Sequence, residues 1–215
     1  MTHRHEDESP DQYSQEIWDA RYAESTRIWS GNPNPRLVEH VTSLEPGSAL
    51  DVGAGEGADA VWLAGRGWQV TALDVSEVAL GRATAHAAAA GLADRVTALH
   101  HDLLGTVPVP GRYDLVSAQY WHPPPERFDE NIRAIAATVA PGGTLLVVGH
   151  HPDDLGTGVR RPHGSPERLF VPEKVVAVLP AADWEVLVAD APTRDLETDD
   201  ATVTLRDSVV LARRR

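Results

Sequence analysis

Tyr13, Ile17 and Trp18 fall at i, i+4 and i+5, and Tyr22 follows four residues after Trp18, which is the spacing of one helical face. Gly31 to Pro35 break that pattern, and Arg36–Leu44 reads as a second helix stopped by Pro46 and Gly47. From Ser48 the texture changes to short apolar runs alternating with helical patterns. Strands are predicted at Ala49–Val52, Gln69–Asp74, Val96–His100, Tyr113–Ala118 and Thr144–Gly149. Helices are predicted at Gly57–Gly65, Ser76–Ala90 and Glu126–Val139, with Gly91 suited to a C′ position and Pro141 to Gly143 ending the third. Strands apolar on both faces that alternate with helices imply a parallel sheet covered on both sides.

The last part of the chain departs from that rhythm. Pro172–Leu179 reads as a final helix, after which Trp184–Ala189 and Val203–Ala212 read as strands with no helix between them. Without a crossover helix two such strands pair antiparallel, here across an acidic loop at Arg194–Asp200. The predicted fold class is α/β: one domain over residues 12–215, with N-terminal lid helices in 12–46 and a doubly wound core in 47–215. Residues 1–11, polar and acidic, are predicted to be a disordered lead-in with no signal peptide, which points to a cytoplasmic protein.

Composition narrows the chemistry. The 215 residues suit one core, and no apolar run is long enough for a membrane span. The absence of cysteine excludes disulfides, thiolate nucleophiles and Cys-ligated zinc. A formal net charge of −13 repels a phosphate backbone, so the expected partner is a small molecule and not nucleic acid. The sequence sets no oligomeric state.

A strand ending in Asp51, then Gly53, Gly55 and Gly57, then a helix, is a nucleotide-binding turn. Gly53, Gly55 and Ala58 also satisfy the dinucleotide pattern of an oxidoreductase, with the acidic Asp74 at the required distance. Taken alone, the loop leaves both cofactors open. Asp51 is useful to a ligand carrying an ammonium and awkward beside a pyrophosphate. Asp102, after the third strand, can accept from an exocyclic amine. With the closing antiparallel pair, these features favour the sulfonium cofactor.

The chain resembles the class I S-adenosylmethionine-dependent methyltransferases over Ala49 to about Ala212. Leu50 to Gly57 resembles that family's first motif, Thr71 to Ser76 its second-strand motif, Tyr113 to Gln119 its fourth-strand motif, and Pro141 to Leu145 the turn into its fifth strand. The resemblance implies a seven-stranded sheet, mostly parallel with an antiparallel last strand. It also implies that Gly53, Ala54 and Gly55 hold the methionine end of the cofactor with Asp51 near its amino group. Asp74 would take the ribose hydroxyls, Val75 would pack on adenine, Asp102 and Leu103 would read the adenine edge, and Gln119 would lie beside the methionine. The stretch from Trp18 to Pro35 resembles the lead-in of small-molecule methyltransferases of the tellurite-resistance and thiopurine type, which would make Trp29 and Arg36 cofactor-wall residues.

Ligands of such sheets bind beyond the carboxyl ends of the strands, where the sequence places Tyr120, Trp121, His122, His150 and His151. His122 and His150 are the candidates for general base or for orienting the acceptor. The same histidines with Asp153 and His163 could gather a metal at the rim, but none has compact ligand spacing, and no metal is expected. The expected activity is methyl transfer from S-adenosylmethionine to a heteroatom of a small, planar or apolar molecule. An NAD(P)-dependent oxidoreductase and a non-catalytic S-adenosylmethionine-binding protein are the alternatives.

Overall fold

A computed structural model describes residues 13–105, 108–157, 166–198 and 201–215. The lead-in 1–11 and His163 lie outside the described residues.

The apolar runs become strands β1 (Ser48–Val52), β2 (Gln69–Asp74), β3 (Val96–His100), β4 (Tyr113–Gln119) and β5 (Val139–His150). Helices α1 (Gln15–Ala23) and α2 (Pro35–Val41) precede them, and α3 (Ala58–Gly65), α4 (Glu77–Ala89), α5 (Phe128–Ala137) and α6 (Pro172–Val176) follow the relevant strands. β6 (Trp184–Asp190), β7 (Thr193–Glu197) and β8 (Thr202–Arg214) close the chain. The main sheet runs β3-β2-β1-β4-β5-β8-β6; β8 is antiparallel to both β5 and β6, and the pairings among β1 to β5 are parallel.

The central strands are apolar on both faces because helices cover both. Leu50, Val116 and Val147 face Phe128, Ile132 and Ile135 of α5, whereas Ala49, Leu115 and Leu146 belong to a second cluster with Leu37, Leu63, Trp68 and Leu80. The chain leaves β1 toward β2 and later returns to β4 on its other side. That reversal opens a crevice beyond the carboxyl ends of β1 and β4, the usual ligand position in such sheets. Among the described residues no helix is long and apolar enough to cross a membrane.

Several boundaries depart from the sequence expectation. Most of the acidic loop expected at Arg194–Asp200 is strand: β7 pairs antiparallel with the first half of a long β8, from Thr193↔Arg206 to Glu197↔Thr202. Thr193, Asp195 and Glu197 are exposed while Arg194 and Leu196 are half-buried, so the period-two alternation is present but carried by charged residues. The proline run at 123–125 delays α5, which begins at Phe128 after a 3-10 turn over Pro125–Arg127 instead of at Glu126.

Gly57 shows how tightly the layers close. It sits at φ 81°, and a Cβ there would lie 2.6 Å from the Cβ and 2.9 Å from the Cα of Ala83 on α4. Gly57→Ala is therefore expected to destabilise the fold by about 2–4 kcal/mol, combining a left-handed backbone with overpacking. Chemical denaturation checks this, and a loss below about 0.5 kcal/mol would mean that α3 and α4 can part freely.

Candidate functional site

The crevice widens into a cavity of about 1260 Å³. Its floor is the β1–α3 turn. Asp51, next to last in β1, is almost wholly buried, and its Oδ2 has no partner among the described residues. Gln119, at the end of β4, donates from Nε2 to Ser117 Oγ at 3.0 Å, while its buried Oε1 is likewise unpartnered. Both residues line the cavity. Two desolvated acceptors without donors on neighbouring strands are costly unless a ligand supplies the hydrogens.

Charge sharpens that demand. Burial first, then the charges of Asp59 and Asp74, push the Asp51 carboxyl well above the usual range. Asp59 and Asp74 are also raised by burial, against the hydrogen bonds that each accepts. Asp74 receives the Gly55 N–H on Oδ2 at 2.8 Å and the Ser76 N–H on Oδ1 at 2.9 Å, so it fixes the glycine turn. A cation near Asp51 is the obvious complement to this cluster.

The lid lies across the turn, and carboxylates hold it there. Glu56 accepts from the N–H groups of Ile28 (3.1 Å) and Trp29 (3.0 Å) and from Arg82 (2.8 Å). Asp59 takes the Asn34 N–H and Nδ2, each at 2.7 Å. Asp19 of α1 accepts from the Ser76 hydroxyl and the Val78 N–H at the start of α4. Trp29 donates to the Tyr22 hydroxyl at 3.1 Å, and these two side chains stand where a Cβ on Gly55 would point. Burial pushes the Tyr22 phenol up to about 12, so it stays a neutral hydrogen-bonding group.

The far wall is aromatic. Tyr120 follows β4 with φ 54°, the one non-glycine residue at positive φ among the described residues. A bulky side chain in that region is strained and needs anchoring. Its N–H donates to Val148 O at 2.7 Å, and its hydroxyl donates to the fully buried Asp207 on β8 at 2.9 Å. The turn carries the ring onto His150, 4.5 Å between centroids, and His150 lies 5.0 Å from His122. The His150 N–H donates to His122 Nε2 at 3.1 Å. Trp121 covers Gly53, whose missing Cβ would sit 3.2 Å from the indole.

The structure thus gathers Trp29, Asp51, Gly53, Ala54, Gly55, Asp74, Val75, Asp102, Leu103, Gln119, His122 and His150 around one cavity. Arg36 is a correction. It is not among the residues lining the cavity; its Nε lies 3.2 Å from Asp207, with further bonds to Glu39 and Thr193 O, because a buried carboxylate on β8 needs a cation. His151 turns to the Asp153 N–H, and among the described residues no three potential ligands converge as a metal site. Sequence reading missed Glu56, Asp59, Asp19 and Asp207. The first two stand in plain view beside the glycines, but their partners are backbone groups 25 to 28 residues earlier, which no local pattern reveals.

This sheet order, with its crevice beyond β1 and β4, is the fold of the class I methyltransferases. Residues 49–143 match the family described as a methyltransferase domain. Over that segment the chain resembles the class I S-adenosylmethionine-dependent methyltransferases, and S-adenosylmethionine is the cofactor that goes with that class. It is 36% identical over 109 residues to the ribosomal RNA small subunit methyltransferase C of Alcanivorax borkumensis, covering 48% of this chain and 32% of that protein. It is 31% identical over 124 residues to the 2-heptyl-1-hydroxyquinolin-4(1H)-one methyltransferase of Mycobacteroides abscessus, covering 56% of this chain and 54% of that protein. The chain spans about a third and about half of the length of these two curated relatives. Among solved structures, TehB from Haemophilus influenzae shares the fold with a TM-score of 0.68 at 20% identity, over 94% of this chain and 67% of that one.

Two predictions follow from the buried acids. A carboxyl raised in the folded state costs stability once the pH exceeds its unfolded value, so Asp51→Asn should stabilise the ligand-free protein at neutral pH. The melting temperature should rise by roughly 2–4 °C per kcal/mol recovered, while affinity for S-adenosylhomocysteine falls. A variant that melts lower and binds equally well would remove Asp51 from the site. Glu56 carries the opposite sign. Burial raises its carboxyl, but the Trp29 N–H, Arg82 and the Ile28 N–H outweigh burial and hold it below the usual range. Its contribution is present above the unfolded value and is lost as pH falls through the folded one. Amide exchange at Ile28 and Trp29, corrected for intrinsic rates, should accelerate on that descent and stay fast at all pH in Glu56→Gln; pH-independent protection in both proteins would exclude the latch.

Proposed function

We propose that this protein transfers the methyl group of S-adenosylmethionine to a heteroatom of a small, planar molecule. The observation that carries this reading is the pair of buried, partnerless acceptors, Asp51 Oδ2 and Gln119 Oε1, at the β1–β4 crevice. An ammonium group supplies the donors and the charge that both lack. A dinucleotide would instead bring its pyrophosphate to a turn flanked by Asp51, Asp59 and Asp74, where like charges repel.

The remaining residues fit the same ligand. The positive end of the α3 dipole suits the cofactor's carboxylate. Asp74 spends one bond per oxygen on the loop and keeps lone pairs for ribose hydroxyls. Val75 and Leu103 offer apolar faces for adenine, and Asp102 stands at the rim for its amino group. Trp29 closes over the turn.

When bound, the cofactor supplies an electrophilic methyl group on a sulfonium. The chain's own work is to align the acceptor with that methyl and to keep water out. Tyr120, Trp121, His122 and His150 form the wall that would do so, and Pro123 and Pro124 stiffen it. His122 Nε2 is engaged by the His150 N–H, which fits a role in orienting the wall. The net charge of −13 favours an acceptor like that named for the hydroxyquinolone relative over the RNA named for the ribosomal one. A cavity of about 1260 Å³ exceeds what one cofactor-sized ligand fills, which leaves room for a second small molecule.

Thermal unfolding with candidate cofactors tests the proposal. S-adenosylhomocysteine at a hundredfold excess over its Kd should raise the melting temperature by roughly 5–10 °C, while NAD(H) and NADP(H) should leave it unmoved. The reverse pattern would make the protein an oxidoreductase. Tight cofactor binding with no methyl transfer to any member of a broad acceptor panel would make it a binding protein.

A further inference from the structure

The carboxylates around the cavity are sorted by position, whereas its cations, Arg21 and Arg27 of the lid and Arg168 and Arg194 opposite, are not. Its carboxylates, Asp51, Glu56, Asp59, Asp74 and Asp102, all come from the side built by β1, α3, β2 and the end of β3. The wall beyond β4 and β5 presents Arg168 and Arg194 with His122 and His150, and no carboxylate among the described lining residues. In a chain of formal net charge −13, a wall of this kind is a local reversal of the overall charge balance.

Arg194 is held in place for it. Its Nε lies 3.4 Å from the buried Asp207, the same carboxylate that anchors the Tyr120 hydroxyl. Its two terminal nitrogens have no hydrogen-bond partner among the described residues, and its side chain is 32% exposed toward the cavity side of β7. One buried acid therefore sets both a guanidinium and the Tyr120–His150–His122 row of rings, tilted 35° and 31° to one another. A flat aromatic body against those rings would bring a substituent within the reach of Arg194. The Arg168 guanidinium borders the same space, two residues before Phe170, whose ring packs on His122.

Resting on the methyl-transfer reading above, we infer that the acceptor is a planar aromatic molecule that enters as an oxyanion. The balance of the step agrees. A lone pair of the ionised oxygen forms the new O–C bond, the C–S bond breaks, and its electron pair goes to sulfur. An anion and a sulfonium become a neutral ether and a neutral thioether, and no proton has to be removed. That removes the need for a general base, in keeping with a His122 Nε2 that already accepts from the backbone.

The test uses 4-nitrophenol, 4-nitroaniline and 4-nitroanisole with protein saturated in S-adenosylhomocysteine. The phenol should bind about tenfold more tightly than the other two, the worth of one charge-assisted hydrogen bond. Its bound form should show the phenolate absorption band at a pH where the free compound is largely protonated. Arg194→Gln or Arg168→Gln should lose most of that preference while S-adenosylhomocysteine affinity is unchanged. Equal binding of the three probes, no binding of the phenol, a bound phenol band, or full phenolate preference in both variants would overturn the inference. Failure of S-adenosylhomocysteine itself to bind the native protein would instead overturn the cofactor reading on which this one rests.

Discussion

Three carboxylates, Asp51, Asp59 and Asp74, share the desolvated region where β1 and β2 end, and the rest of the site is arranged around their cost. Each solves part of the problem with backbone N–H groups. Asp74 takes those of Gly55 and Ser76, and Asp59 takes that of Asn34. In doing so the acids impose structure: one shapes the glycine turn, another pins the lid. Asp51 is left with an oxygen that the described chain does not satisfy. The protein thus carries local destabilisation that a donor-rich, cationic ligand would relieve, a recurrent sign of a functional site.

The half of the site nearest the glycines was legible in the sequence because its contacts are local. Strand, turn and helix succeed one another within Ala49 to Gly65, and Asp74 closes the unit by ending the neighbouring strand. Residue spacing alone places these groups together. The lid was legible only as a helix. Its aromatic face announced burial, which Tyr22 realises at 3% exposure while Trp29 stays near half exposed. What docks the lid is a set of acid-to-backbone bonds spanning more than twenty residues, and backbone donors leave no mark in a sequence.

Arg36 and Arg194, the latter in the stretch that β7 occupies, show the second reason for misreading. Both depend on Asp207, a buried acid in the last strand that binds Arg36, Arg194 and Tyr120. An isolated aspartate within an apolar strand gives no hint of three partners from α2, β7 and the end of β4. The charged alternation of β7 likewise looked like solvated loop until β8 supplied a partner for it. Long-range pairing overrode a local composition that favours turns.

The two ends of the cavity can be understood through the charge that the proposed reaction moves. Methyl transfer abolishes the positive charge at sulfur, so an acidic pocket at the donor end holds the cofactor better before the step than after it. A cationic wall at the acceptor end does the same for an ionised nucleophile, which becomes neutral on methylation. Both fields weaken their hold on the products while aligning the reactants, and both are set by buried carboxylates that strand order fixes: Asp51 near the end of β1, Asp207 behind the end of β4. A sheet whose last strand runs antiparallel is what brings Asp207 there, because the register of β8 on β5 places it opposite His150. The topology and the electrostatics of the acceptor wall are in this sense one feature.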